Sequence, residues 1–207
     1  MRGRFISVEG IEGVGKSSNI AALVKHIESA GFDVLQTREP GGTPLAEDIR
    51  DILKDRGDEP IPEVAELLLM FAARSLNVNN VIIPALEGGK WVVSDRFTDS
   101  SRAYQGGGRG IPLSTIDRLA DLVHHDTWPD LTILLDAPVE IGLGRASQRG
   151  APDRFEQEQH EFFERVRESY LQLAAMEPDR FAIVDTTRPL AGVQADVIAL
   201  ADLLINE

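Results

Sequence analysis

Gly10-Ile11-Glu12-Gly13-Val14-Gly15-Lys16-Ser17 decides how the rest of the chain is read. The stretch has the spacing G-x-x-x-x-G-K-[ST], whose glycines let the backbone curl until successive amide hydrogens point inward at phosphate oxygens. Its setting matters as much as its spacing. Phe5-Ile6-Ser7-Val8-Glu9, just before it, reads as a short buried strand; from Lys16 to about Ala30 the residues Ile20, Leu23, Val24 and Ile27 recur on one helical face, and Gly31 ends that helix. A glycine-rich loop that feeds the positive N-terminal end of a helix is an anion site. Lys16 is expected to bridge the β- and γ-phosphates of a nucleoside triphosphate and Ser17 to set its hydroxyl on Mg2+, with Gly10, Ile11, Glu12, Gly13, Val14, Gly15 and Ser18 completing the triphosphate cradle. The bland alternative is a strand-to-helix turn with an ordinary surface lysine.

Four more strand candidates follow: Asp33 to Gln36 (DVLQ), Lys90 to Ser94 (KWVVS), Leu131 to Asp136 (LTILLD) and Phe181 to Asp185 (FAIVD). Helical patterns separate them, over Leu45 to Lys54, from Pro62 through Leu76, along Phe162, Val166, Tyr170 and Leu173, and along Leu190, Val193, Val197, Leu200 and Leu204. The strands are apolar on both faces, as expected where helices cover both sides of a parallel sheet. The order predicts an α/β, P-loop three-layer fold with a five-stranded parallel sheet flanked by helices. No repeat, low-complexity tract or linker divides residues 1–207, so one domain is expected. Between two helices, the loop from Arg149 to Glu156 holds Gly150 and Pro152 and is the candidate for a short lid, about residues 145–156.

With 43% hydrophobic and 27% charged residues, the 207-residue chain has an ordinary globular composition. It has no cysteine, which excludes disulfides, thiolate metal sites and cysteine nucleophiles, and suits a reducing cytoplasm. The N-terminal apolar stretch is too short for a signal peptide, and no run approaches the roughly 20 apolar residues of a membrane helix. A formal charge of −13 argues against a nucleic-acid polymer as partner, because backbone binding depends on basic patches. Small phosphates remain possible ligands if the few basic residues gather locally.

The third strand candidate runs into Asp95-Arg96-Phe97. Ligands of open α/β sheets lie beyond the carboxyl ends of the strands, so Asp95 and Arg96 should face the same crevice as Lys16. There Asp95 could hold Mg2+ through water and Arg96 could clamp a phosphate; a surface ion pair is the alternative. Phe71 and Arg74, three apart, share a helix face able to stack a ring on a base while the guanidinium donates to a base carbonyl. Taken alone, Phe71 has a place in the core as its competing role.

In order and spacing, the phosphate loop together with Thr37-Arg38-Glu39-Pro40-Gly41-Gly42-Thr43, Leu68-Leu69-Met70-Phe71-Ala72-Ala73-Arg74, Asp95-Arg96-Phe97 and Ala103-Tyr104-Gln105-Gly106-Gly107-Gly108-Arg109-Gly110 resembles the bacterial thymidylate kinase family over almost the whole chain. The resemblance implies transfer of phosphate from ATP to dTMP, with Mg2+, in a homodimer. It implies that Phe71 stacks on thymine, that Arg74 reaches a base carbonyl, and that Ser101 and Gln105 contact the base edge. Tyr104 matches the tyrosine that disfavours a ribose 2′-hydroxyl, Glu12 the acid that binds the 3′-hydroxyl, and Arg50 and Arg96 the holders of the acceptor phosphate, with Arg38 on the same side. The phosphate loop lacks an arginine while Arg149 sits in the lid, the bacterial pattern; Arg149 would close over the transferring group, and Arg145, one helical turn earlier, would lie against the adenine. Arg102 departs from the usual neutral residue, its direction open.

Two rivals stand beside this. Another nucleotide kinase or a deoxynucleoside kinase would share the core chemistry, and a hydroxyl acceptor would need a base, for which Glu9 is a candidate unless it is a structural acid. A nucleotide-dependent switch would have no use for the acceptor-side blocks.

Overall fold

Phe5–Glu9 (β1), Trp91–Asp95 (β3) and Leu131–Asp136 (β4) are runs of β-branched and aromatic residues with almost no exposed position, and they form the middle of the sheet. The computed structural model describes residues 2–54, 59–148 and 154–206. Val34–Arg38 (β2) and Phe181–Asp185 (β5) complete an all-parallel, five-stranded sheet in the order β2-β3-β1-β4-β5. Apolar burial on both faces holds only for the three inner strands. The outer two alternate buried with half-buried or exposed positions, since an edge strand is incompletely covered by the helix layers. β2 also starts one residue later and ends two residues later than its apolar pattern suggests, because pairing with β3 carries it on to Arg38 opposite Asp95.

The helices are α1 (Lys16–Ser29), α2 (Pro44–Lys54), α3 (Glu63–Asn77), α4 (Ile83–Glu87), α5 (Thr98–Ser101), α6 (Leu113–His124), α7 (Val139–Ala146), α8 (His160–Met176) and α9 (Leu190–Ile205). Neighbouring residues of the inner strands feed different clusters. Ile6, Val8 and Val93 join Ile20, Leu23 and Ile27 of α1, whereas Phe5 and Val92 join Val78, Ile82 and Leu86. A third cluster, Leu67, Phe71, Ile116 and Ala120, locks α3 to α6.

One feature departs from the sequence reading. A π-helical turn, Val78–Ile82, joins α3 to α4, so that the helix runs 25 residues from Glu63 to Glu87 and is long and apolar enough to cross a membrane by length and composition, where no such segment was expected. Its Leu67, Phe71, Val78, Ile82 and Leu86 are buried in the fold and its mid-point Arg74 is a buried cation, which makes it a core helix. Further along, Arg102–Gly108 forms a π-helical stretch although it holds three consecutive glycines. The reason is packing against α8. A Cβ on Gly107 would sit 2.5 Å from that of Ser169, and one on Gly108 would sit 2.4 Å from the Phe162 ring.

Gly108→Ala is therefore expected to cost about 1–3 kcal/mol through overpacking. At roughly 2–4 °C per kcal/mol for a chain of this size, thermal unfolding will resolve it. Gly192→Ala, on α9 with no heavy atom within 4 Å of the new Cβ, should have the opposite sign, about 0.5–1 kcal/mol stabilising. A Gly108→Ala protein as stable as wild type would contradict the close contact with α8.

Candidate functional site

The parallel ladder does not stop at the strand ends. Arg96 N donates to Val8 O (3.1 Å) and Glu39 N to Asp95 O (2.9 Å), so the loops after β1, β2 and β3 leave the sheet side by side at its carboxyl edge. Arg96 is held at φ 72°, uncommon for a residue with a side chain, while Ser94 Oγ donates to its carbonyl at 2.6 Å. The result is a cleft of about 240 Å³ at the reversal point of the strand order.

On its donor side lie Glu12, Gly13, Gly15, Lys16 and Ser17. Gly13 adopts φ 74°, and a Cβ there would sit 1.8 Å from Gly142 O, so the loop needs glycine both for its turn and for its contact with α7. Buried Ile11 and Val14 anchor it to the core. Lys16 folds back over the loop, donating to Gly10 O (3.1 Å) and Ile11 O (2.9 Å); burial, with neighbouring Arg96 adding to it, lowers its ammonium to about 8. Of the other residues expected here, Gly10, Ile11, Val14 and Ser18 shape the loop and do not line the cleft. Arg145 donates to Thr186 O (3.0 Å), tying α7 to the loop after β5, and is also off the cleft wall. Arg149 lies outside the described residues.

Facing the loop are Arg38, Arg50, Arg74, Asp95, Arg96, Ser101, Tyr104 and Gln105, all predicted from sequence and all on the wall. Arg96 Nη2 donates to Glu12 Oε1 (2.9 Å) and to Tyr104 OH (3.0 Å), and Tyr104 OH donates to Glu12 Oε2 (2.7 Å). Burial pushes the Tyr104 phenol well above its usual value, so it stays a donor. Arg50 donates to Pro40 O (2.8 Å), and exposed Arg38 pairs with Glu47 (2.7 Å). Arg74, only 2% exposed, donates to Glu39 Oε2 (2.6 Å), Ser101 Oγ (3.0 Å) and Phe97 O (3.1 Å). Asp95 Oδ1 is buried with no hydrogen-bond partner, the one orphaned acceptor on the wall among the described residues.

One expected residue is elsewhere. Phe71 is 3% exposed and off the cleft wall; its ring lies 4.6 Å from the Arg74 guanidinium and packs on Leu67, Ile116 and Ala120. The competing core role is the one the structure adopts, and the cleft position falls to Met70, four residues before Arg74, a spacing that shares a helix face as well as three does. Lys54 and Ser100 also line the cleft without having been singled out. Ser100 was findable as the residue one turn after Arg96; Lys54 carried no signal. Arg102 turns away, pairing with Asp117 and Glu177 (both 2.8 Å) over the Trp128 ring.

Glu9 is fully buried and off the wall. Its oxygens accept from Phe97 N (2.7 Å), Ser100 Oγ (2.6 Å) and Tyr170 OH (2.9 Å), while burial, with Asp99 adding to it, pushes its carboxyl up to about 7. Since Ser100 and Tyr170 also touch Arg96 Nη1 (3.1 and 3.3 Å), Glu9 acts as a structural acid behind that arginine.

The profile of the thymidylate kinase family matches residues 8–197. Among curated relatives, thymidylate kinase from Ectopseudomonas mendocina is 51% identical over 206 residues, covering 100% of this chain and 98% of that protein. The one from Methylococcus capsulatus is 53% identical over 203 residues, covering 98% and 97%. A crystal structure of thymidylate kinase from Ehrlichia chaffeensis superposes with a TM-score of 0.79 at 32% identity, over 97% of this chain and 99% of that one. With the phosphate loop, acceptor-side arginines and sheet order arranged as described, and with similarity from end to end, the chain belongs to the thymidylate kinase family.

Proposed function

We propose that this protein transfers the terminal phosphoryl group of ATP to dTMP, giving dTDP, with Mg2+, in the cytoplasm. The observation that carries it is a single cleft in which the phosphate-loop Lys16 faces Arg96, Arg74, Tyr104 and Gln105. The wall also gathers Arg38, Arg50 and Lys54 in a chain of net charge −13, the local concentration of cations that two phosphorylated substrates require.

The acceptor phosphate is already largely dianionic at pH 7, its second pKa being near 6, so its attacking oxygen needs no base. That suits a site whose candidate base, Glu9, is sealed behind Arg96, and it disfavours a nucleoside hydroxyl as acceptor. Lys16 and Arg96 bring two polyanions together and stabilise the charge that spreads over the transferring group. Arg50 and Arg38 border the acceptor phosphate, and Arg149 is the proposed lid arginine. Orphaned Asp95 Oδ1 and the Ser17 hydroxyl, both on the cleft wall, are the hard oxygen donors that Mg2+ prefers, and the ion would neutralise phosphate charge there. On the sugar side, Tyr104 fills the space beside the 2′ carbon and Glu12 accepts from the 3′-hydroxyl. At the base, the Met70 thioether packs on the thymine ring in place of Phe71, a favourable sulfur–aromatic contact. Glu12, Gly13, Gly15, Lys16 and Ser17 border the triphosphate, in a loop whose turn Gly10, Ile11 and Val14 shape.

A homodimer is supported by exposed apolar side chains on the packed helices α3 and α6, Val64 (61%), Leu68 (53%) and Leu122 (80%). Leu68→Arg is expected to give a monomer by sedimentation velocity where wild type sediments as a dimer; an unchanged sedimentation coefficient would place the interface elsewhere.

The activity is tested by ADP release with dTMP, dUMP, dCMP, AMP and ribothymidine monophosphate as acceptors, dTMP being favoured. Lys16→Ala should fold normally and lose about 10²–10³-fold or more in kcat, the scale of removing a charge aimed at the transition state. Turnover that ignores the acceptor would instead indicate a switch.

Arg74→Ala separates binding from architecture. It removes a donor to the base, about 1.5–3 kcal/mol or roughly 10- to 150-fold in dTMP KM. It also strands buried Glu39, which should cost about 3–5 kcal/mol of stability. Both losses are expected, with the KM for ATP little changed; stability lost without a selective change in dTMP KM would make Arg74 purely structural.

A further inference from the structure

Glu66 on α3 is 1% exposed and does not line the cleft, yet it accepts from three side chains around it. Gln105 Nε2 donates to its Oε1 at 2.8 Å, Arg109 reaches both oxygens at 3.2 Å, and Arg154 Nη1 lies 2.6 Å from Oε2. A carboxylate only accepts, so chemistry alone decides which end of the Gln105 amide faces it: the nitrogen. The oxygen is then the end left for the cleft, which Gln105 does line, and no described residue hydrogen-bonds it.

A fixed acceptor there selects among pyrimidines. Thymine and uracil carry a ring N–H between two carbonyls, whereas the matching nitrogen of cytosine is a bare acceptor beside an amino donor. Arg74, on the same wall, supplies the complementary donor for a carbonyl. Turned the other way, the Gln105 amide would offer N–H where thymine also offers N–H, leaving both unpaired at a residue only 1% exposed.

We infer that Glu66 is a positioning residue for acceptor choice, which from behind the cleft holds the Gln105 amide with its oxygen toward the base and so sets the preference for a pyrimidine with a ring N–H over cytosine. This rests on the reading of the cleft as the dTMP site. The same carboxylate anchors Arg154, which also donates to Leu53 O (2.8 Å), so Arg154 and the base reader share one support.

The test compares kcat/KM for dTMP and dCMP in wild type, Glu66→Gln, Glu66→Asp and Gln105→Ala. In Glu66→Gln the arginines claim the new amide oxygen, its nitrogen turns to Gln105, and the Gln105 oxygen is drawn away from the base. The dTMP-to-dCMP ratio should fall at least about tenfold, through the KM for dTMP and with the KM for ATP unchanged. Glu66→Asp, still acceptor-only, should keep the ratio even where its melting temperature drops. A Glu66→Gln protein that loses both activities equally, ratio intact, has lost only a strut, and the inference is overturned. If wild type does not prefer dTMP, or Gln105→Ala leaves the preference untouched, it is the base-side reading of the cleft that fails. Should Glu66→Gln not fold, the Gln105 side-chain amide in 15N-labelled wild type decides: its NH2 resonances should be slow to exchange and unmoved by dTMP, and a large shift on binding would overturn the inference.

Discussion

The parallel pairing of β1 with β3 sets Val8 opposite Asp95 and continues one step further, into the hydrogen bond from Arg96 to Val8. The phosphate loop springs from one of these strands and the acceptor-side arginine from the other. Because the strands are parallel, both leave the sheet at the same edge, and the separation between Lys16 and Arg96 is fixed by the spacing of adjacent strands. A slip of one residue would turn Arg96 away from the cleft and Asp95 with it. The buried faces of β1 and β3, with different side chains on each, make that slip costly.

Around this pairing the protein spends buried polar groups freely. Glu39 with Arg74, Glu66 with Arg109 and Arg154, and Asp99 with Arg180 each bury a carboxylate against guanidinium. Such pairs contribute little net stability, because desolvation consumes most of the attraction, but their geometry is directional and breaking one strands a charge. Two of them support the cleft, Glu39 by holding Arg74 and Glu66 by holding Gln105, whereas Asp99 and Arg180 lie off its wall. Glu9 does the same for Arg96 through Ser100 and Tyr170, and for the Phe97 amide directly. An acidic chain thus gathers Lys16, Arg38, Arg50, Lys54, Arg74 and Arg96 on one cleft wall, among a smaller number of carboxylates.

Local sequence was enough for the elements whose cause is local. The phosphate loop, its flanking strand and helix, and the bounds of β1, β4 and β5 follow from glycine spacing and apolar periodicity, and the βαβα order fixes the sheet class. Arg38, Asp95 and Arg96 were legible too, because strand-end residues are delivered to one edge, while Arg50, Ser101, Tyr104 and Gln105 were expected only through the family resemblance. What sequence left open turned on partners distant in the chain. How tightly the glycines at 106–108 are packed is set by α8, and whether Glu9 is a base or a brace depends on Tyr170, 161 residues away.

The sequence by itself determined the fold class, the phosphate loop and the cations Arg38 and Arg96 at the strand ends, since each is written in spacing or in position at a strand end. Only the tertiary structure decided which side chain of a pair lines the cleft. Met70 and Phe71 are neighbours on one helix, and both lie within a turn of Arg74; the cluster of Leu67, Ile116 and Ala120 claims the phenyl ring and leaves the thioether to the cleft. In the same way nothing in the order of residues orients the Gln105 amide. Glu66 does so from 39 positions away, because a hydrogen bond between buried side chains is a property of where α3 and the glycine-rich stretch meet, and that is set by packing.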